Sequence, residues 1–101
     1  MYYFIGIKGS GMSALAIILK NLGYNVIGSD VENHFFTEEG LLENDIKFLT
    51  YDENNIKEDY VIVKGASIKE DNVELIKARE LGLKIYEYNE LVGEISKKFK
   101  T

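Results

Sequence analysis

Residues 2–13 read YYFIGIKGSGMS, and the change of pattern inside this stretch decides the fold. Tyr2 to Ile7 is a continuous apolar run with aromatic and β-branched members, ended by glycines. A strand buried on both faces of a parallel sheet reads this way, because it has no solvent side on which to alternate polar residues. After the glycines, Met12, Leu15, Ala16, Leu19 and Leu22 recur at the three- and four-residue spacing of one helix face, and Gly23 stands where a left-handed cap belongs. Strand, glycine loop and helix therefore follow in that order.

The same alternation continues outward. Asn25 to Ser29 is a second short strand ending in Asp30, and a weak helix is expected from Thr37, an N-cap candidate with Glu38 and Glu39 in its first turn. Ile46 to Leu49 and Tyr60 to Val63 are the third and fourth strands, joined by an acidic, Asn-rich connection with room for one helical turn. Asp71 or Asn72 caps a helix running to Leu81, Gly82 closes it, and Leu83 to Tyr86 is the fifth strand. A last helix carries Tyr88, Leu91, Val92, Ile95 and Phe99 on one face, with Asn89 expected as its cap. Strands alternating with helices predict an α/β fold: a Rossmann-like, doubly wound parallel sheet of about five strands, with right-handed crossovers and helices on both faces.

The chain has 101 residues, 46% of them hydrophobic and 29% charged, with no repeat, linker, low-complexity tract or proline, so residues 1–101 are expected to form one domain. No cysteine is present, which excludes disulfides and thiolate metal sites. The strongest apolar segment, Met12 to Leu19, falls far short of the roughly 20 residues a membrane helix needs, and a cytoplasmic address is the expectation. Twelve basic against seventeen acidic residues give a net charge of -5, which disfavours nucleic acid or an anionic membrane as partner. The basic cluster Lys97, Lys98 and Lys100 is explained as a last helical turn favoured by the helix dipole.

Gly6 to Gly11 lies between the first strand and the first helix, where an open α/β sheet binds phosphate on backbone N–H groups. Lys8 stands where the dinucleotide fingerprint has its second glycine. The glycines serve either anion binding, which this context favours, or tight helix-to-strand packing. Asp30 sits about twenty residues on, where an acidic residue accepts a ribose hydroxyl; a turn-capping aspartate is the alternative. Lys8 and Lys64 end strands that are adjacent in common doubly wound orders, so they are expected to flank one cleft as a cationic pair toward a diphosphate, or else to be unrelated surface lysines. His34, the single histidine, has no partner for metal or nucleophilic chemistry and reads as a surface-loop residue. The carboxylate pairs Glu38 with Glu39, Asp52 with Glu53 and Glu58 with Asp59 read as solvated turns and helix starts, and the aromatic residues as packing. No catalytic or metal-ligating residue is expected.

A resemblance becomes specific at this point. Phe4-Ile5-Gly6-Ile7-Lys8-Gly9-Ser10-Gly11-Met12-Ser13, then Leu22-Gly23-Tyr24 and Gly28-Ser29-Asp30, resembles the opening of the Mur ligases that act on UDP-N-acetylmuramate, the alanine-adding enzymes first and the murein-peptide enzymes next. Ser67-Ile68-Lys69-Glu70-Asp71-Asn72 and Ala78-Arg79-Glu80-Leu81-Gly82 resemble the later part of the same N-terminal domain. The resemblance implies a domain that holds the UDP part of UDP-N-acetylmuramate in bacterial cell-wall synthesis. A following domain of the same chain binds ATP and Mg and activates the substrate carboxylate for attack by the amine, giving an amide. That domain and the C-terminal one are expected to lie outside these residues, leaving the isolated segment inactive. By motif, Gly9, Ser10, Gly11, Met12 and Ser13 would contact the diphosphate and Asp30 the uridine, with Ser67 and Asn72 on the same rim. The sequence departs from the family at Lys8, where glycine is usual, near Tyr51, where a histidine is usual, at Gly65 and Ala66, where serines stand, and at Val73, where proline follows Asn72. A nicotinamide- or adenine-nucleotide-binding regulatory module and a non-catalytic Mur-like interaction domain are the competing expectations.

Overall fold

The computed structural model describes residues 1–33 and 35–99, without the side chains of Lys98 and Phe99. The expectations for His34, for Lys98 and Lys100 in the basic cluster, and for Phe99 on the last helix face therefore lie outside the described residues. The chain runs β1 (Tyr2–Ile5), α1 (Ser10–Asn21), β2 (Val26–Ser29), α2 (Glu38–Glu43), β3 (Lys47–Leu49), a 3-10 turn (Glu53–Asn55), β4 (Val61–Lys64), α3 (Val73–Glu80), β5 (Ile85–Glu87) and α4 (Tyr88–Phe99). All four strand pairings are parallel and the order is β3-β2-β1-β4-β5. This is the doubly wound order, and its direction reverses between β1 and β4, where such sheets place their ligand crevice.

β1 is central, and its alternation feeds two cores. Phe4 joins Leu15, Ala16 and Leu19 of α1 with Leu41 and Leu91 on one face, while Tyr3 and Ile5 join Ile62 of β4 and Leu75 and Ala78 of α3 on the other. Tyr3, Phe4 and Ile5 are fully buried, which is why the run reads apolar without interruption. The strand is shorter than the apolar run because Gly6 turns at φ +90, and the Gly6 and Ile7 N–H groups both donate to the Ser29 carbonyl, at 2.9 and 3.0 Å. Ile7 then packs back over β2. A Cβ on Gly28 would come within 2.6 Å of both Ile7 Cδ1 and the Phe4 carbonyl oxygen, so the crossing requires glycine there.

The caps follow expectation at α3 and differ in their bonding at α2 and α4. Asn72, not Asp71, caps α3, accepting from the N–H groups of Glu74 at 2.9 Å and Leu75 at 3.2 Å. Thr37 occupies the position before α2 but its hydroxyl donates to the Lys8 carbonyl at 2.6 Å, and Glu38 instead accepts from the Phe35 N–H at 2.9 Å. Asn89 lies inside the first turn of α4; the Glu90 carboxylate accepts from the Glu87 N–H at 3.0 Å in its place. β5 starts at Ile85 because the Leu83 N–H is drawn to the Ala78 carbonyl, 3.1 Å away, in closing α3.

Glu74 was not singled out by the sequence, yet it is fully buried. Its carboxylate accepts from Tyr3 Oη at 2.7 Å, Ser29 Oγ, Asp52 N–H at 3.1 Å and Asn55 Nδ2 at 3.0 Å. β1, β2, the connection to β4 and α3 thus meet on one side chain. Its place in the first turn of α3 adds the favourable end of the helix dipole. Glu74→Ala, which strands these donors in the core, is expected to lose about 3–5 kcal/mol in urea denaturation, and the near-isosteric Glu74→Gln less than about half of that. A loss below about 1 kcal/mol for Glu74→Ala would refute the network's structural weight.

Candidate functional site

A cleft opens over the carboxyl ends of β1 and β4 and has two lobes that share Gly6, Gly9 and Ser67. The first, of about 520 Å³, is bordered by Lys8, Ser10, Asp30, Phe35, Phe36 and Tyr51. The second, of about 310 Å³, is bordered by Gly11, Met12, Gly65, Ala66 and Tyr88.

The start of α1 faces this cleft without a side-chain cap. Gly9 holds the N-cap position, no side chain accepts from the first turn, and no acidic residue lies in it. The first N–H groups of any helix lack partners inside it. The contrast with α3, which has both the Asn72 cap and Glu74 at its start, is direct. Ser10, Gly11 and Met12 thus present backbone donors and the positive end of a 12-residue helix to the cleft, an arrangement suited to a phosphate or other anion. Ser13 is not brought there: it is buried, and its hydroxyl donates to the Ser10 carbonyl at 3.0 Å. Asn72 is engaged as the α3 cap and borders neither lobe, while Ser67 borders both.

The expected pair of lysines sharing the cleft is corrected by the structure. Lys8 is buried, and its ammonium donates to the carbonyls of Val31 at 2.9 Å and Asn33 at 3.0 Å, pairs with Glu38 at 3.1 Å and lies over the Phe48 ring at 5.0 Å. Lys64 pairs with Glu87 at 3.4 Å, its register neighbour across β5, and borders neither lobe. Each cation has its own carboxylate, so no unrelieved repulsion awaits a diphosphate. The solvated reading of Glu38 is corrected by the same observation, since Glu38 is buried as the partner of Lys8.

Asp30 has the turn-capping role and also stands at the cleft. It borders the cleft, and its carboxylate accepts from the Lys8 N–H at 2.9 Å and the Val31 N–H at 2.7 Å. Each oxygen retains a lone pair for a further donor. Asp30→Ala is accordingly expected to cost about 1–3 kcal/mol of stability as well as ligand affinity, since it frees two backbone donors; an unchanged urea midpoint would refute the structural half.

The sequence assigned the aromatic residues to packing, but Phe35, Phe36 and Tyr51 form the wall of the first lobe, and Phe36 is 82% exposed. Two adjacent phenylalanines in a loop, outside any strand or helix face, were the available signal. Burial, followed by the negative charges of Asp30 and Glu74, pushes the Tyr51 phenol up to about 12. Burial also raises Tyr3, well beyond the usual phenol range. Both phenols are therefore protonated donors throughout the neutral range. A free phenol titrates near 10, and a folded value above the unfolded one makes its stabilisation complete below about pH 10 and lost as pH rises toward 12. Absorbance titration at about 295 nm is expected to show at least two of the seven tyrosines ionising late, together with unfolding; full ionisation by about pH 11 with the fold intact would refute this.

Comparison with known proteins matches the Mur ligase family, catalytic domain, over residues 1–100. The UDP-N-acetylmuramate–L-alanine ligase of Lactiplantibacillus plantarum is 48% identical over 99 residues, covering 98% of this chain and 23% of that protein. The enzyme of the same name from Lacticaseibacillus casei is 50% identical over 94 residues, covering 93% of this chain and 22% of its own length. Among solved structures, the UDP-N-acetylmuramate-alanine ligase of Thermotoga maritima superposes with a TM-score of 0.87 at 25% identity, covering 98% of this chain and 23% of that one. The UDP-N-acetylmuramate:L-alanyl-gamma-D-glutamyl-meso-diaminopimelate ligase of Neisseria meningitides gives 0.83 at 27% identity, covering 92% and 30%. The chain thus spans less than a third of the length of each of these relatives.

Proposed function

Because the chain belongs to the Mur ligase family, we propose that it is the N-terminal domain of an ATP-dependent amide-forming ligase and that its cleft receives the UDP part of UDP-N-acetylmuramate, the substrate to which L-alanine is joined in peptidoglycan precursor synthesis. The observation that carries this reading is the uncapped start of α1, which opens on the two-lobed cleft. The backbone N–H groups of Ser10, Gly11 and Met12 hold the diphosphate, replacing the cap that α1 lacks. Asp30 takes a ribose hydroxyl on its remaining lone pairs, and Phe35, Phe36 and Tyr51 shelter the uracil ring. Lys8 acts indirectly, by fixing the loop that carries Asp30 and Phe35. Ser67 adds a hydroxyl on the shared rim, whereas Ser13, Asn72 and Lys64 support neighbouring elements.

Among the described residues no group of three or more His, Asp or Glu side chains converges on a common point that would suit a metal ion. On the family reading, magnesium and the ATP that accompanies it belong to a further domain of the enzyme, with which this one works as partner. The contribution of this chain is to bind and orient the nucleotide end of the substrate. Its affinity for UDP alone is expected to be modest, about −4 to −6 kcal/mol, because the remaining substrate contacts belong to other domains. Isothermal titration of the chain with UDP, UDP-N-acetylmuramate and NAD tests the proposal. Binding of both uridine nucleotides with little or no response to NAD is the expected result, and tighter binding of NAD would favour a nicotinamide-nucleotide module.

A further inference from the structure

The second lobe of the cleft is bordered by glycines and Met12 around the start of α1, by small residues in the loop after β4, and by Tyr88 on the remaining side. Tyr88 is the first residue of α4 and directly follows β5. Its backbone is held on one side by the pairing of β5 with β4 and on the other by the contact between Glu90 and the Glu87 N–H. The phenol reaches back to α1. A Cβ placed on Gly11 would come to 3.0 Å from both Cζ and Oη of Tyr88, so the phenol end occupies the space that any larger residue at position 11 would fill.

This contact fixes where the hydroxyl stands. Side chains on a helix tilt toward its N-terminus, so a group pressed against the Cβ site of Gly11, the second residue of α1, lies beside the N–H groups that begin the helix. Among the described residues the Tyr88 hydroxyl has no protein hydrogen-bond partner, and no charged side chain borders this lobe. An anion there would depend on neutral donors alone, and a half-buried phenol supplies one.

We propose that Tyr88 is a ligand-binding residue whose phenol donates to an oxygen of the diphosphate seated on the start of α1, an inference that rests on the UDP reading above. It explains why position 11 is glycine by a neighbour from the far end of the chain as well as by the ligand.

Tyr88→Phe keeps the ring against Gly11 and removes only the donor. Amide chemical shifts of Gly11 and Met12, followed by NMR during titration of the chain with UDP and separately with inorganic pyrophosphate, give both affinities and the place of binding. The variant is expected to bind both ligands about tenfold more weakly, the loss of one charge-assisted hydrogen bond, while melting without ligand at the same temperature as the parent. Equal affinities in variant and parent overturn the contact. So does a lower unliganded melting temperature accompanying the loss, which would assign Tyr88 to packing. A parent that binds pyrophosphate but not UDP refutes the nucleotide reading alone, and the pyrophosphate titration still decides Tyr88; a parent that binds neither overturns both.

Discussion

A buried carboxylate holds this domain together at the point where its layers meet. Moving an ion into a core costs several kcal/mol unless hydrogen bonds compensate it, and Glu74 accepts four, from donors on β1, β2 and the connection before β4. The two nearest consequences lie in the cleft. Ser29 precedes Asp30, and Asp52 follows Tyr51, so fixing the first and last of these four residues fixes the cleft-lining pair between them. An apolar residue of similar volume could fill the same space but would leave the connection carrying Tyr51 without its tether.

Lys8 performs the corresponding task on the other side of the cleft. Its N–H, its carbonyl and its ammonium are all engaged with residues 30–38. A lysine inside a glycine loop between a strand and a helix suggests positive charge offered to an anion. Burial and the pairing with Glu38 instead direct that charge inward, away from the uncapped start of α1. Lys8 is thus a loop anchor, with the glycine turn itself kept by Gly6 and Gly9.

The fold was largely legible in the sequence because its signals are local. The unbroken run at β1, the helix-face spacing of α1, the glycines at the left-handed positions 23 and 82, and Asn72 before α3 each act within a few residues. The boundaries shifted where hydrogen bonds from outside the element intervened, as when Ser29 bound both Gly6 and Ile7 and ended β1 early. The glycine loop, Asp30 and Ser67 were placed in the cleft from spacing and resemblance together. Glu74, Tyr88 and the partners of Lys8 and Lys64 were not legible, since each acts across a sequence separation that no periodicity records. Glu38 looked solvated for the same reason: its cation comes from another loop.

The sheet order carries a consequence for how the cleft comes into being. Its floor is the seam between β1 and β4, residues 2–5 against residues 61–64, with β2, β3 and two helices intervening along the chain. Neighbours in space that are distant in sequence form only after a long loop has closed, and the entropy of that closure falls on the seam rather than on the local β1–α1–β2 unit. The glycine loop can thus be shaped by β1, α1 and Asp30 alone, whereas the walls bearing Gly65, Ser67 and Tyr88 arrive with the second half of the sheet. By this topology, closing the β1–β4 seam also completes the cleft, and the glycine loop alone has no pocket around it until then.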